Sequence, residues 1–177
     1  MLLFEGAGRR VLFTGDLLCP LLRRRDYELL SGLDLLVVDC NNRFPWPRTN
    51  HWSLAGSGED PLKRSGRLEE FAAGLESSMV LSPHLMEGMA SNSRDYLADV
   101  EREWDGAGQP LTILEFTARL QVKEAALVHY SGAEDRKYSG EEQLDDRSLE
   151  EWANEQAEQK ELSRIFRVPQ AGELRYI

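Results

Sequence analysis

Leu33-Asp34-Leu35-Leu36-Val37-Val38-Asp39, LDLLVVD, is the stretch on which the fold turns. It is a nearly continuous apolar run that stops at a carboxylate. Such a run marks a strand covered on both faces, the kind found in layered α/β proteins. Upstream, residues 2–5 and 10–14 read as two strands around Gly6-Ala7-Gly8, a hairpin signal. Residues 20–30 read as helical and end at Ser31-Gly32. Downstream lies a long loop, residues 41–66, which holds Pro45, Pro47 and Pro61. A loop of that length in a compact domain is functional or disordered. Its aromatics Phe44, Trp46 and Trp52 argue for order, and packing against the sheet is favoured over lining an apolar pocket.

Further along, Leu68, Phe71, Ala72 and Leu75 share one helical face. Residues 79–81 form a short strand ending at Ser82-Pro83-His84. Ser93 caps a helix with apolar face Leu97, Val100 and Trp104. Residues 111–116 and 125–129 are predicted strands. Asp145-Asp146 open a helix through Leu149, Trp152, Ala153 and Ala157, since acidic residues favour a helix N-terminus. Residues 165–168 and 173–177 close the pattern as strands. A β-rich start followed by alternating β and α predicts an α/β (α+β) fold in a single domain, residues 1–177.

The 177 residues are 41% hydrophobic, enough for a core, and carry a net charge of −10. An acidic surface repels phosphate backbones, so a small-molecule substrate is favoured over nucleic acid; Arg23-Arg24-Arg25 reads as a solvated helix face. No apolar run is long enough to span a membrane, and the start lacks the basic and apolar regions of a signal peptide. Cys19 and Cys40 have no metal spacing and read as free thiols of a reducing cytoplasm.

Polar residues recur at the carboxyl ends of the predicted strands. Asp16 follows Val11-Leu-Phe13, Asp39 follows Leu35 to Val38, His84 follows Met79 to Leu81, and His129 follows Ala126 to Val128. Ligand sites of α/β sheets lie outside those ends. Carboxylate and imidazole together suit Zn²⁺, Mn²⁺ or Fe. Each residue alone has a plainer reading: an Asx turn at Gly15-Asp16, a cap at Asp39, a structural imidazole at either strand end, a surface residue at His51. The combination carries more weight, because the three histidines of the chain all fall near predicted strand ends or in the one long loop.

The ordered set VLFTGDLL, LDLLVVDCN, NHWSL and MVLSPHL resembles the second half of the metallo-β-lactamase fold hydrolases. The resemblance implies an αββα sandwich and a divalent metal, zinc first, with manganese or iron as alternatives. Asp16 matches the aspartate that bridges two metals. His84 or His129 matches the late histidine of the second metal site, and both stay open. Asp39 and His51 match an acidic residue and a His-Ser pair, in which the histidine assists proton transfer. The implied reaction is hydrolysis of a phosphodiester, ester or thioester by metal-bound hydroxide. The family's first-half signature, His-x-His-x-Asp-His, is absent from this chain, which reads as the second half of the fold with a C-terminal extension.

Two other readings stand beside the hydrolase. One is a non-catalytic half-fold that associates with itself, as a homodimer, or with a missing N-terminal half through its exposed apolar face. The other is an unrelated α/β domain in which Asp16 and Asp39 hold Mg²⁺ for phosphate chemistry.

Overall fold

The computed structural model describes residues 1–16, 22–44, 51–55 and 112–170, with the single positions 98, 102 and 110. The described strands form one five-stranded mixed sheet in the order β1-β2-β3-β4-β5. These are β1 Leu2–Gly6, β2 Arg9–Phe13, β3 Leu35–Asp39, β4 Glu124–Val128 and β5 Phe166–Arg167. The helices are α1 Arg24–Leu30, α2 Ile113–Arg119, α3 Ala133–Tyr138 and α4 Asp146–Gln159. The fold is therefore mixed α/β.

β1 and β2 pair antiparallel through the two-residue turn Ala7-Gly8, both at positive φ (49° and 73°), the geometry that matches strand twist in a tight hairpin. β2, β3, β4 and β5 run parallel. Register aligns Leu3, Leu12, Leu36, Ala125 and Phe166 in one row across all five strands. Because side chains alternate along a strand, this row and the Val38–Leu127 pair beyond it share one face. That face is the core. Tyr27 of α1, Ile113, Leu114 and Phe116 of α2, and Leu149, Ala153 and Ala157 of α4 all pack into it. Strand order equals chain order, so crossovers of one hand lay their helices on one side of the sheet. The opposite face carries Leu2, Phe4 and Phe13, which are 62%, 57% and 43% exposed.

One predicted strand is a helix. The apolar run after Pro110 forms α2, where a strand over 111–116 was expected. Thr112 decides it: its side chain accepts a hydrogen bond from the Glu115 amide (3.3 Å), a cap that an apolar run of this length does not announce. The helix expected from Asp145 is α4, with the Asp145 carboxylate capping the Ser148 amide at 2.7 Å. Backbone at Ala98 and Arg102 is helical, within the helix expected after Ser93. The expected helix at 68–75 and the strands at 79–81 and 173–177, with Cys19 and His84, lie outside the described residues.

Candidate metal centre

Four residues converge at the carboxyl edge of the parallel strands: Asp16, Asp39, His51 and His129. One ligand atom from each lies within 4.8 Å of all the others.

Asp39 is the last residue of β3. Alternation with Leu36 and Val38 turns its side chain away from the core face. Its amide is donated to Thr14 Oγ1 (3.2 Å), and the Thr14 amide to the Val37 carbonyl (3.0 Å), so the exits of β2 and β3 are held together. Gly15 then turns at φ 64°, a conformation that favours glycine, and brings Asp16 back over the strand ends. This is what the Gly-Asp pair does after β2. His129 follows β4 directly and also sits at positive φ, 66°. For a residue with a Cβ that conformation costs about 1–2 kcal/mol, and such strain gathers at functional sites.

His51 arrives from the long loop, by packing rather than by strand geometry. Trp52 is buried in the core, edge-on to Phe116 with ring centroids 5.7 Å apart. The Leu54 and Ala55 amides are donated to the Asn42 and Arg43 carbonyls, each at 3.0 Å. The Ser53 and Leu54 carbonyls accept from the Ile113 and Leu114 amides (3.0 and 3.2 Å). Those two donors open α2 and have no partner within their own helix, so the loop and the helix satisfy each other. Residues 51–55 are thus clamped between the exit of β3 and the start of α2, and His51 is buried where a surface position was the simple expectation. Phe44 packs edge-on against Trp152 at 5.5 Å, so the described loop aromatics pack as expected.

The four groups form a chain of contacts. His51 Nδ1 lies 2.6 Å from Asp39 Oδ2, with side-chain exposures of 8% and 2%. A carboxylate only accepts, so Nδ1 carries the proton and donates it; carboxylates fix imidazole tautomers in this way. His129 Nδ1 lies 3.2 Å from Asp39 Oδ1 and 3.5 Å from Asp16 Oδ1. The two imidazoles meet edge to face, 4.9 Å between centroids at 82°. Asp39 and His51 are the buried floor; Asp16 and His129, 72% and 52% exposed, are the open rim.

The donor set fits a divalent transition metal. Imidazole nitrogen and carboxylate oxygen bind zinc at about 2.0–2.2 Å, so ligands around one ion stand up to about 4.4 Å apart. The observed 4.8 Å envelope is within a few tenths of an ångström of that span.

No family model matches the chain, no curated protein matches it, and no solved structure matches its fold. Among the described residues no helix is long and apolar enough to cross a membrane.

Of the residues singled out in the sequence, the structure thus brings Asp16, Asp39, His51 and His129 together, and His84 lies outside the described residues. The sequence reading missed the support beneath them. Asn41 Oδ1 accepts from the Ser131 amide (3.2 Å) and hydroxyl (2.6 Å), tying the loop after β3 to the loop after β4. Asp135, fully buried, pairs with Arg43 at 3.0 Å. These partners lie about 90 positions apart in the chain, and no local pattern announces them.

Proposed function

We propose that the chain is a divalent-metal-dependent hydrolase, with zinc the first choice of metal, acting on a phosphodiester, ester or thioester. The observation that carries this reading is the convergence of Asp16, Asp39, His51 and His129 at the carboxyl edge of the sheet. Asp16 and His129, at the open rim, are the residues to hold the ion and to meet substrate. A divalent cation supplies Lewis-acid polarisation of a phosphoryl or carbonyl oxygen and acidifies a water to a pKa of about 7. Asp39 orients His51 through Oδ2 and holds Nδ1 protonated. In its doubly protonated form His51 gives its Nε2 proton to the leaving group while the Nδ1 proton stays in the hydrogen bond to Asp39, the general-acid role in which an imidazole is effective near neutral pH. Burial of the Asp39–His51 pair keeps water from competing for that contact. A relationship to the metallo-β-lactamase fold hydrolases is part of this proposal and rests on the sequence motifs.

The test is hydrolysis of a chromogenic phosphodiester, an aryl ester and a thioester by the zinc-loaded chain and by its His51→Ala variant. The reading expects turnover of one class that falls about 10²–10⁴-fold in the variant, the usual contribution of a general acid. Turnover of none by a metal-loaded chain, or equal turnover by both proteins, contradicts it.

A second reading, an association module built on the half-sandwich, is supported by the outer sheet face. Leu2 stands opposite Phe13 there, and Phe4 opposite Val11, an exposed apolar surface of the kind that marks association. Sedimentation of the chain and of a Phe4→Ser/Phe13→Ser double variant tests it. The module reading expects an assembly that the double variant dissociates; a monomer in both cases counts against self-association.

A further inference from the structure

We infer that Asp135 is a positioning residue of the metal centre, acting with Tyr130 and Arg43 to fix the separation of the loops that carry Asp39 and His129. The inference rests on the metal-site reading and deepens it.

The last ladder contact between β3 and β4 is the Cys40 amide donating to the Val128 carbonyl (2.8 Å). Beyond that point the sheet no longer fixes how far apart the two chains run. His129 is the next residue on one side, and it leaves in a left-handed conformation that persists only where its surroundings enforce it. Asn41 ties the two loops once, through the Ser131 amide and hydroxyl, and Asp135 ties them a second time from the first turn of α3. Its Oδ1 accepts from the Arg43 amide (2.9 Å) and the Phe44 amide (3.4 Å), both on the exit of β3. Its Oδ2 accepts from Arg43 Nε (3.0 Å) and from the Tyr130 hydroxyl (3.0 Å). Tyr130 is the neighbour of His129. One buried carboxylate therefore takes four donors, three from the chain that delivers Asp39 and one from the residue beside His129.

The guanidinium is fixed in turn. Arg43 Nη2 donates to the Glu142 carbonyl (2.7 Å), and the group lies 5.0 Å from the Phe44 ring centroid and 5.3 Å from that of Trp152. At Gly132 a Cβ would come within 2.9 Å of the Tyr130 hydroxyl, so the tyrosine also has a packed floor. A buried ion pair is weak support for stability alone, since apolar residues of similar volume often serve as well. What this one does that apolar packing would not is set direction: hydrogen bonds hold the two loops at a defined distance. Groups that hydrogen-bond a metal ligand directly typically change metal affinity about 10–100-fold, and Asp135, which meets Arg43, Phe44 and Tyr130, acts one step further out.

The experiment compares the parent, Tyr130→Phe, Asp135→Asn and Thr117→Val by NMR without metal and then by zinc titration. Thr117→Val is the control, because it removes a buried hydrogen bond to Leu114 within α2, away from the cluster. In the parent, the imidazoles of His51 and His129 are close enough to give a ring-to-ring nuclear Overhauser effect. The inference expects Tyr130→Phe to keep its fold, weaken that effect and bind zinc about 10-fold more weakly, the low end of the range for direct partners of metal ligands, while the control keeps both. Retention of the ring contact and of zinc affinity in Tyr130→Phe overturns it, as does an equal loss in the control. If Asp135→Asn does not fold, Tyr130→Phe decides alone. If the parent binds no zinc, the metal reading fails, and the ring contact still decides the positioning role.

Discussion

The two edges of the parallel sheet each carry a carboxylate on β3 or at its start, and the two are treated differently. At the amino edge, Asp34 accepts from Lys123 Nζ (2.8 Å), Arg9 Nη1 (3.2 Å) and the Arg10 amide (2.8 Å). The Lys123 ammonium foremost, then the Arg10 amide, holds its carboxyl well below the usual carboxylate range, at about 2. At the carboxyl edge, Asp39 and Asp16 meet imidazoles: among the described residues their ion pairs are with His51 and His129. An imidazole is a nitrogen ligand as well as a hydrogen-bond partner. One edge compensates its carboxylate with permanent cations and is finished. The other assembles two carboxylates and two imidazoles, a group that could hold a divalent cation.

Substitutions at the two edges should separate. Asp16→Ala and His129→Ala should reduce zinc affinity by more than the roughly 10–100-fold of a supporting residue and leave the melting temperature of the metal-free chain nearly unchanged, because both side chains are exposed. Asp34→Asn should do the reverse, lowering the melting temperature without touching zinc affinity. Calorimetry on the three variants reads both quantities, and a loss of zinc affinity in Asp34→Asn breaks the comparison.

The burial of His51 depends on Trp52, so Trp52→Ala should destabilise the chain by about 3–5 kcal/mol, as large aromatic truncations in cores do. Urea unfolding measures that figure; a change below 1 kcal/mol would remove the anchor from the account.

Asp34 also predicts an acid limb. Its folded pKa, about 2, is below its ordinary value of 3.8. The stabilisation it provides is therefore fully present above about pH 4 and is lost as pH falls through about 2. Acid unfolding of the parent and of Asp34→Asn should diverge above that window and converge below it.

The smallest effect concerns Cys40. Burial pushes its thiol pKa up, and the carboxylate of Asp39 adds to the push. A raised thiol pKa contributes stability that is present below the ordinary value of 9.0 and erodes as pH rises beyond it. At neutral pH the native thiol should react with a disulfide reagent only as fast as the chain opens. Prompt reaction of Cys40, read in a Cys19→Ser variant, would show that the core beside Asp39 is open.

β3 and β4 were legible in the sequence because a buried parallel strand is a dense apolar run, and Asp16, Asp39 and His129 because each ends such a run. α2 was not, because a six-residue run with four apolar positions fits either element until Thr112 caps it. The burial of His51 was not legible either. It depends on Trp52 reaching Phe116 and on loop carbonyls meeting the first amides of α2, contacts between distant parts of the chain. Asp135 gave no signal, since its meaning lies in donors from Arg43, Phe44 and Tyr130 that only the folded chain assembles. The motifs that suggested the hydrolase resemblance read residue identity at strand ends, and the support behind those ends is invisible to them.

The most direct measurement is the stoichiometry and affinity of zinc binding to the metal-free, folded 177-residue chain, by titration calorimetry, with Asp16→Ala alongside. One zinc per chain, lost in Asp16→Ala, is the predicted result. A well-folded chain that takes up no zinc, or one whose zinc is indifferent to Asp16, would contradict the claim that the carboxyl edge of this sheet is a metal centre.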